Sequence, residues 1–477
     1  MTLDSFKFFY RTSVRTANET RTARVRYTPV DIKERLEAAP MKRLQIGIVA
    51  ICIALNMIDG FDVLVMAFSA DSISTHWDLS GSQLGILLSA ALFGMAVGSI
   101  LVAQLADVIG RRKIILICAA VISAGMFASA FAPSYIVLFV LRFITGVAIG
   151  TMQASLNVFV SEYSSARRRS TTISFYSAGL PIGGVLGGII AGMLISAYSW
   201  HAAFLFGGAV TLAMIPFILK FLPESLDYLM TRRPAGALER TNKILARLDQ
   251  PQISELPLVP RDTALTAGAR WKALFSSRYG ITTLFLSIAF MMLMGGFYFA
   301  NSWTPKLVKA SGFSAQDGID AGVLFSLGAV AGAVAFGLIA ARFAVKWVLV
   351  AAFVLSAAGF ALYAVSTGTL STALAAAALL GFLLNAGIAG MFSIGPVYYS
   401  SDVRATAVGF ITGMGRVGAI ISPIVAGSLI DGGWAPGSLY FLFIIPLLVG
   451  AGAIASLRSS SRRKAAGTVL RKETVPA

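Results

Sequence analysis

Long apolar stretches separated by short polar segments dominate the chain. A helix needs about 20 mostly apolar residues to cross the hydrocarbon core of a bilayer. Twelve stretches approach or exceed this length, at residues 44–70, 83–105, 114–131, 134–161, 171–196, 201–222, 280–303, 319–341, 347–366, 372–399, 405–430 and 438–457. In lipid every backbone polar group must be satisfied internally, and a helix does this within one segment. The pattern therefore predicts an all-α integral membrane protein with twelve transmembrane helices.

The basic residues lie almost entirely on one side of this twelve-span arrangement. That side holds 35 of the 39 Lys and Arg residues. The other side holds Lys306 and Lys309, while Arg142 and Arg416 lie inside spans. By the positive-inside rule, both termini are predicted to be cytoplasmic in a multi-pass protein of the inner membrane. The formal net charge of +17 is thus a signal of topology, and no nucleic acid is expected as a partner.

The composition disfavours soluble enzymes. Hydrophobic residues make up 57% of the chain and charged residues 13%, against roughly a quarter charged in soluble domains. Cys52 and Cys118 lie in apolar runs without a CxxC spacing, and the only histidines are His76 and His201. We therefore expect no disulfide framework, metal site, cofactor or enzymatic activity.

The spans form two groups of six, separated by a charged segment with several prolines. The predicted organisation is a cytoplasmic N-terminal tail at 1–43, a six-helix half at 44–222, a cytoplasmic linker at 223–279, a second six-helix half at 280–457 and a cytoplasmic C-terminal tail at 458–477. The N-terminal tail lacks the apolar core of a signal peptide, and its acidic residues are atypical of a transit peptide.

The two groups of spans resemble each other. Residues 103–112, which follow span two, match residues 337–346, which follow span eight. Residues 57–62 of span one similarly match residues 294–298 of span seven. Two related six-helix halves with a site between them are typical of a secondary transporter. The filter loop or pore helix of a channel is not found in the sequence.

Several motifs resemble those of the major facilitator superfamily. Residues 103–113 resemble its cytoplasmic loop motif GxLADRxGRRK, residues 142–150 its RxxxGxxxG motif in span four, and residues 223–225 its PES signature. More narrowly, residues 59–62 resemble the DGFD motif of the aromatic acid:proton symporter family. Residues 404–406 and 413–419 also resemble that family's spans ten to eleven. The resemblance implies two pseudo-symmetric six-helix halves that import an aromatic carboxylate, such as a hydroxybenzoate, with protons by alternating access.

Two carboxylates and one arginine form the predicted proton-coupling site. Asp59 and Asp62 are three positions apart, so they share one face of span one. Both cannot ionise at low cost at membrane depth, so at least one is expected to bind a proton. Arg142 stays charged and needs an anion, which is Asp59, Asp62 or a substrate carboxylate. An ion pair that only holds helices together is the structural alternative.

The predicted substrate-binding site centres on arginine. The guanidinium of Arg416 suits a carboxylate, although snorkelling to the headgroups is an alternative for this side chain. Arg142 is the second candidate. For any single aromatic residue, packing against lipid is the alternative, whereas buried amides need partners. Aromatic and amide residues on the predicted inner faces of the bundle complete the set: Phe61, Phe297, Tyr298, Asn301, Asn385 and Tyr398.

The loop after span two supplies a predicted cytoplasmic gate. Its residues are Asp107, Gly110, Arg111, Arg112 and Glu162, at the cytoplasmic ends of spans two to four. The family resemblance implies that this loop closes the cytoplasmic side, with Asp107 against the N-terminus of span eleven, where the helix dipole favours an anion. Glu162 is expected to pair with Arg112. The alternative is that these charges only set topology.

The expected partners are a small aromatic acid, protons and the lipid bilayer, with a single chain as the working expectation for the oligomeric state. Two alternatives on the same fold stay open at the level of sequence. One is a proton symporter of a non-aromatic organic acid or polyol, and the other is an exporter.

Overall fold

A computed structural model describes residue 35 and residues 38–165, 168–256 and 267–457. All regular secondary structure in these residues is helical. Twelve helices are long and apolar enough to span a membrane: Arg43–His76, Gly81–Ile109, Arg111–Ala130, Tyr135–Glu162, Thr171–Ala197, Trp200–Phe221, Gly280–Ala310, Ala315–Ala340, Val345–Val365, Leu370–Gly395, Thr406–Asp431 and Pro436–Ala455. We number them spans one to twelve. The predicted all-α membrane fold with twelve spans is confirmed.

Some helices run further than the apolar pattern predicts. Span one continues past residue 70 to His76, and span seven continues past residue 303 to Ala310. Polar residues in these extensions bond across to the neighbouring span, as Lys309 does to Asp71. The polar residues therefore do not end the helices.

Span two ends irregularly. A π-helical segment at Gly98–Val102 and a 3-10 turn at Ala103–Leu105 precede a final turn at Ala106–Ile109. Three short helices lie in the predicted linker, at Leu226–Arg232, Ala237–Arg247 and Ala267–Leu274. Residues 1–34, 257–266 and 458–477, which belong to the predicted tails and linker, lie outside the described residues.

Glycines allow close helix crossings within the first half. A Cβ atom on Gly146 of span four would lie 2.2 Å from the Ala91 carbonyl oxygen of span two. A Cβ atom on Gly60 of span one would lie 2.1 Å from the Leu180 carbonyl oxygen of span five. Without a hydrophobic force between helices in lipid, small residues permit the close packing that holds the bundle together.

The second half packs by the same device. A Cβ atom on Gly332 of span eight would lie 2.0 Å from the Phe382 carbonyl oxygen of span ten. A Cβ atom on Gly418 of span eleven would lie 2.0 Å from the Met291 carbonyl oxygen of span seven. The similar construction of the halves agrees with the repeat in the sequence.

The two halves meet at one end of the bundle. Span two crosses span eleven there, since Ser89 Oγ donates to the Ile420 carbonyl oxygen at 2.8 Å. Span five meets span eight nearby, where Ser196 Oγ donates to Gln316 Oε1 at 3.0 Å. We call this the predicted outer end, because the basic segments lie at the opposite, predicted cytoplasmic end.

Along span eleven, the contacts between the two halves end on the cytoplasmic side of Ile420. Gly413 precedes Ile420 by seven residues and so lies on the same helix face. A Cβ atom on Gly413 would meet no atom within 4 Å. We call the open space on the cytoplasmic side of the outer contacts the central cleft.

Candidate functional site

A buried ion pair joins spans one and four. Arg142 Nη1 lies 3.0 Å from Asp62 Oδ1, and the two side chains are 0% and 1% exposed. Arg142 Nη2 also donates to Ser129 Oγ at 3.1 Å and to Met126 Sδ at 3.2 Å. The guanidinium carbon lies 5.1 Å from the centre of the Phe204 ring. The structure thus places Arg142 inside the first half, with Asp62 as its anion.

Asp59 is sealed beside this pair. Its side chain is 0% exposed, and neither carboxyl oxygen has a hydrogen-bond partner within the described residues. One oxygen of Asp62 is likewise unpartnered. The three predicted proton-coupling residues therefore lie in the same half, with two of them bonded and one isolated.

Gly60 and Phe61, between the two aspartates, pack span one against neighbouring helices. Gly60 lets span one approach span five, as described above. Phe61 is 5% exposed. Its ring occupies space that is free only because Gly187 and Gly207 have no side chains, since a Cβ atom on either glycine would clash with the ring. Its ring centre lies 5.8 Å from that of Phe206. The structure places Phe61 in the core of the first half and does not bring it together with Arg416.

Arg416 faces the central cleft. It precedes Pro423 by seven residues and Gly427 by eleven, and both of these residues pack against span two, so Arg416 lies on the same helix face. Its side chain is half-buried, and no ion pair or hydrogen bond joins it to another described residue. Its guanidinium is therefore available to a ligand in the cleft.

Tyr298 and Asn301 are two polar side chains on one face of span seven. Tyr298 is close enough to Arg416 for electrostatic interaction. Asn301 is three residues further along the same helix face and is 9% exposed. Neither side chain has a hydrogen-bond partner in the described part of the chain, and neither polar group is fully sealed from solvent. Tyr298 and Arg416 together can bind an anion with a polar substituent, and Asn301 is a further polar group on the same face of span seven.

The remaining predicted binding residues have different surroundings. Phe297 lies next to Tyr298, with its ring centre 5.5 Å from that of Phe325. Asn385 Nδ2 donates to the Ala329 carbonyl oxygen at 2.6 Å and so ties span ten to span eight. Tyr398 is half-buried and ends the helix of span ten at the predicted cytoplasmic end.

Arg111 organises the predicted gate. Its Nη1 atom lies 3.2 Å from Glu162 Oε2, and its Nη2 atom lies 3.1 Å from Asp107 Oδ1 and 3.4 Å from Asp227 Oδ2. It also donates to Ser225 Oγ at 3.2 Å. This guanidinium joins the ends of spans two and four to the start of the linker.

The expected pairing of Glu162 with Arg112 is wrong. Glu162 binds Arg111, whereas Arg112 donates its backbone N–H to Glu224 Oε1 at 3.0 Å and its guanidinium to the Leu219 carbonyl oxygen. Neighbouring residues of a helix point about 100° apart. Only Arg111 faces span four, and Arg112 faces span six.

Gly110 makes the turn that precedes span three. Its φ of 110° lies in the left-handed region that glycine favours, and a Cβ atom there would lie 2.7 Å from Glu224 Oε2. Tyr163 Oη donates to the Glu224 carbonyl oxygen at 2.8 Å. Burial raises the pKa of Tyr163 well above its usual value, so this donor stays neutral. Glu224 and Ser225 belong to the PES signature in the sequence, but their contacts with the basic loop were not predicted.

Asp107 keeps its contacts within its own half and the linker. Its carboxylate binds Arg111, its backbone oxygen accepts from Arg232 Nε at 3.0 Å, and its side chain is 63% exposed. The contact with the N-terminus of span eleven, which the family resemblance implies, is not formed among the described residues.

Polar contacts that could not be predicted from the sequence close the outer end. Asp431 Oδ1 accepts from the Gly81 backbone N–H at 2.6 Å, and Asp431 Oδ2 accepts from the Ser82 backbone N–H at 2.8 Å. Lys309 Nζ lies 2.5 Å from Asp71 Oδ2, and Lys306 Nζ donates to a serine of span one. One indication of these contacts was present in the sequence, since Lys306 and Lys309 are the only basic residues on the predicted outer side.

Two six-helix halves around a cleft, with buried charges on their helices, define a secondary transporter. The sequence profile of the Major Facilitator Superfamily matches residues 49–338, and the chain belongs to that family. It is a multi-pass membrane transporter.

Similar proteins carry aromatic acids. The gallate transporter of Pseudomonas putida is 31% identical over 89% of this chain and 94% of the relative. The 4-hydroxybenzoate transporter of Pseudomonas putida is 30% identical over 87% of this chain and 93% of the relative. Among solved structures, the xylose transporter XylE from E. coli has a TM-score of 0.70 at 15% identity, covering 88% of this chain and 99% of that chain. This last likeness concerns the fold.

Proposed function

We propose that this transporter imports an aromatic carboxylate together with protons, by alternating access. The substrate class is supported by the gallate and 4-hydroxybenzoate transporters to which the chain is similar. The observation that carries the proton coupling is the sealed carboxyl group of Asp59, which has no partner for a negative charge.

Asp59 is the proposed proton-binding residue. An ionised carboxylate buried without a partner costs several kcal/mol. This arrangement therefore favours the protonated form of Asp59, whereas the carboxyl group of Asp62 lies against the guanidinium of Arg142. A movement that exposes Asp59, or brings Arg142 to it, would release the proton. Proton release is thus linked to a change in how spans one and four pack.

Arg416 is the proposed anchor for the substrate carboxylate. Arg142 is unsuited to this role, since it is 0% exposed and already paired. Tyr298 and Asn301 would bind ring hydroxyl groups, and Phe297 would contribute to the apolar surface for the ring. Such a mixture of apolar walls and a few polar groups is typical of small-molecule sites.

The proposed cytoplasmic gate is the loop around Asp107 and Arg111. With the outer end closed, the carboxylate of Asp107 is largely exposed. When the cytoplasmic side closes, we propose that it caps the start of span eleven.

Uptake into proteoliposomes tests the proposal. A pH gradient, acidic outside, should drive accumulation of labelled gallate or 4-hydroxybenzoate, and an uncoupler should abolish it. Asp59→Asn mimics the protonated carboxyl group, so it should lose accumulation but keep exchange of labelled for unlabelled substrate. Asp320→Asn, which neutralises an exposed carboxylate, is the matched control and should behave like the parent. Accumulation by Asp59→Asn at the parent level would rule out this proton site.

A further inference from the structure

An open groove lies between spans one and six at the predicted cytoplasmic end. It has a volume of about 440 Å³, and its lining includes Arg43, Gly47, Ile51, Phe217, Phe221 and Arg247. The groove opens toward lipid, since the two phenylalanines of the apolar span six are 52% and 41% exposed. A Cβ atom on Gly47 would meet nothing within 4 Å, so glycine keeps the groove open at this position.

The mouth of the groove is positively charged. Arg43 is the first residue of the helix of span one, whose first turn contains no acidic residue. Arg247 ends the linker helix that lies beside it. The nearby carboxylate of Asp249 forms an ion pair with Lys42, with 2.8 Å between Lys42 Nζ and Asp249 Oδ2. Neither arginine has an ion pair among the described residues, and the positive end of the dipole of span one adds to the attraction of Arg43 for an anion.

We propose that this groove binds an anionic phospholipid of the cytoplasmic leaflet. The phosphate would lie between Arg43 and Arg247, because guanidinium groups bind phosphate oxygens in pairs of hydrogen bonds. One acyl chain would cover Gly47, Ile51 and the phenylalanines of span six. Basic pockets between transmembrane helices on this side of a membrane are suited to anionic headgroups.

The apolar wall distinguishes a lipid from a free anion. Inorganic phosphate would satisfy the two arginines but leave the wall against span six uncovered. A zwitterionic lipid such as phosphatidylcholine would cover the wall and also bring a phosphate, but its own cationic group would cancel that charge beside the two arginines. Only an amphiphile with a net negative headgroup matches both parts of the groove. The site is separate from Asp59 and Arg416, so it does not depend on the proposed substrate.

Native mass spectrometry of the purified full-length protein tests the site. Phosphatidylglycerol and phosphatidylcholine with identical acyl chains are titrated, and inorganic phosphate is added as a competitor. We expect phosphatidylglycerol to bind more tightly, with phosphate displacing it only weakly. Each arginine near a membrane surface contributes about fivefold in affinity. Arg43→Gln combined with Arg247→Gln should therefore weaken phosphatidylglycerol binding by about 25-fold.

Two further variants make the result decisive. Gly47→Phe fills the groove without changing charge and should lower retention of both lipids. Lys272→Gln combined with Arg278→Gln removes two exposed basic residues at the same end of the other half and should leave binding unchanged. The proposal would be overturned if the Arg43/Arg247 double variant and the Lys272/Arg278 double variant lost equal affinity for phosphatidylglycerol. The proposal would also be overturned if phosphatidylglycerol bound only after deletion of residues 1–34. That result would mean that the chain's own N-terminal segment occupies the groove.

Discussion

The crossing of spans two and eleven offers a direct test of how the outer end closes. A Cβ atom on Gly427 would lie 2.1 Å from the Gly81 carbonyl oxygen. The opposing atom belongs to the backbone, so no side chain can rotate away to make room. Because the contact joins the two halves, Gly427→Ala penalises the outer-closed arrangement and leaves the packing inside each half intact.

The size of the effect follows from this overlap. Forcing an extra carbon into a packed contact costs about 1–3 kcal/mol. If the cost falls only on the closed arrangement, the equilibrium between closed and open outer ends shifts about 5- to 150-fold. Gly413→Ala adds the same methyl group to the same helix, but in open space, and is the matched control.

Distances between spin labels measure the shift. Thr75 and Ala435 are exposed residues at the outer end of the first and second half, so cysteines placed there report the separation of the halves. The native cysteines are buried and should remain unlabelled. Gly427→Ala should enlarge the long-distance population, whereas Gly413→Ala should not. If both variants gave the parent distribution, closure would not depend on this backbone contact.

Three further predictions address the substrate, the proton site and the topology. Arg416→Lys should weaken binding of aromatic acids by about 1–3 kcal/mol and leave a neutral amide analogue nearly unchanged, as measured by calorimetry; equal losses for acid and amide would assign Arg416 a role in cavity shape. Arg142→Lys should shift the pH dependence of transport, because its bonded anion is Asp62; a parent-like pH profile with lower affinity would instead indicate substrate contact. Tags at residue 315 and at the C-terminus should report opposite sides of the membrane, and the same side for both would break the predicted topology.

The helical fold could be predicted because the bilayer restricts what an apolar segment can do. A long apolar run must form a helix that satisfies its own backbone groups. The ends of the helices were less predictable, as the extension of span one to His76 shows. Most of those residues are polar, and some of them bond to a partner on a distant span, as Asp71 does to Lys309.

The candidate site was predictable in its residues but less so in its pairings. Spacing placed Asp59 and Asp62 on one face, yet only helix rotation decides which of them meets Arg142. The same limit explains why Glu162 was paired with the wrong arginine. The contact of Asp431 with Gly81 joins residues 350 positions apart, and no local pattern connects them.

The positions of the two proposed sites constrain how transport and proton binding are linked. Asp59 lies sealed in the first half, while Arg416 faces the cleft from the second, so a proton and a substrate would not compete for one side chain. The link must then pass through helices that touch both sites. Span one carries Asp59 and, three turns further, Asp71, which binds Lys309 of span seven. Span seven also carries Tyr298, which is close enough to Arg416 for electrostatic interaction. If both proposed sites are correct, a change in the packing of Asp59 would reach the substrate site through the same pair of helices that closes the outer end.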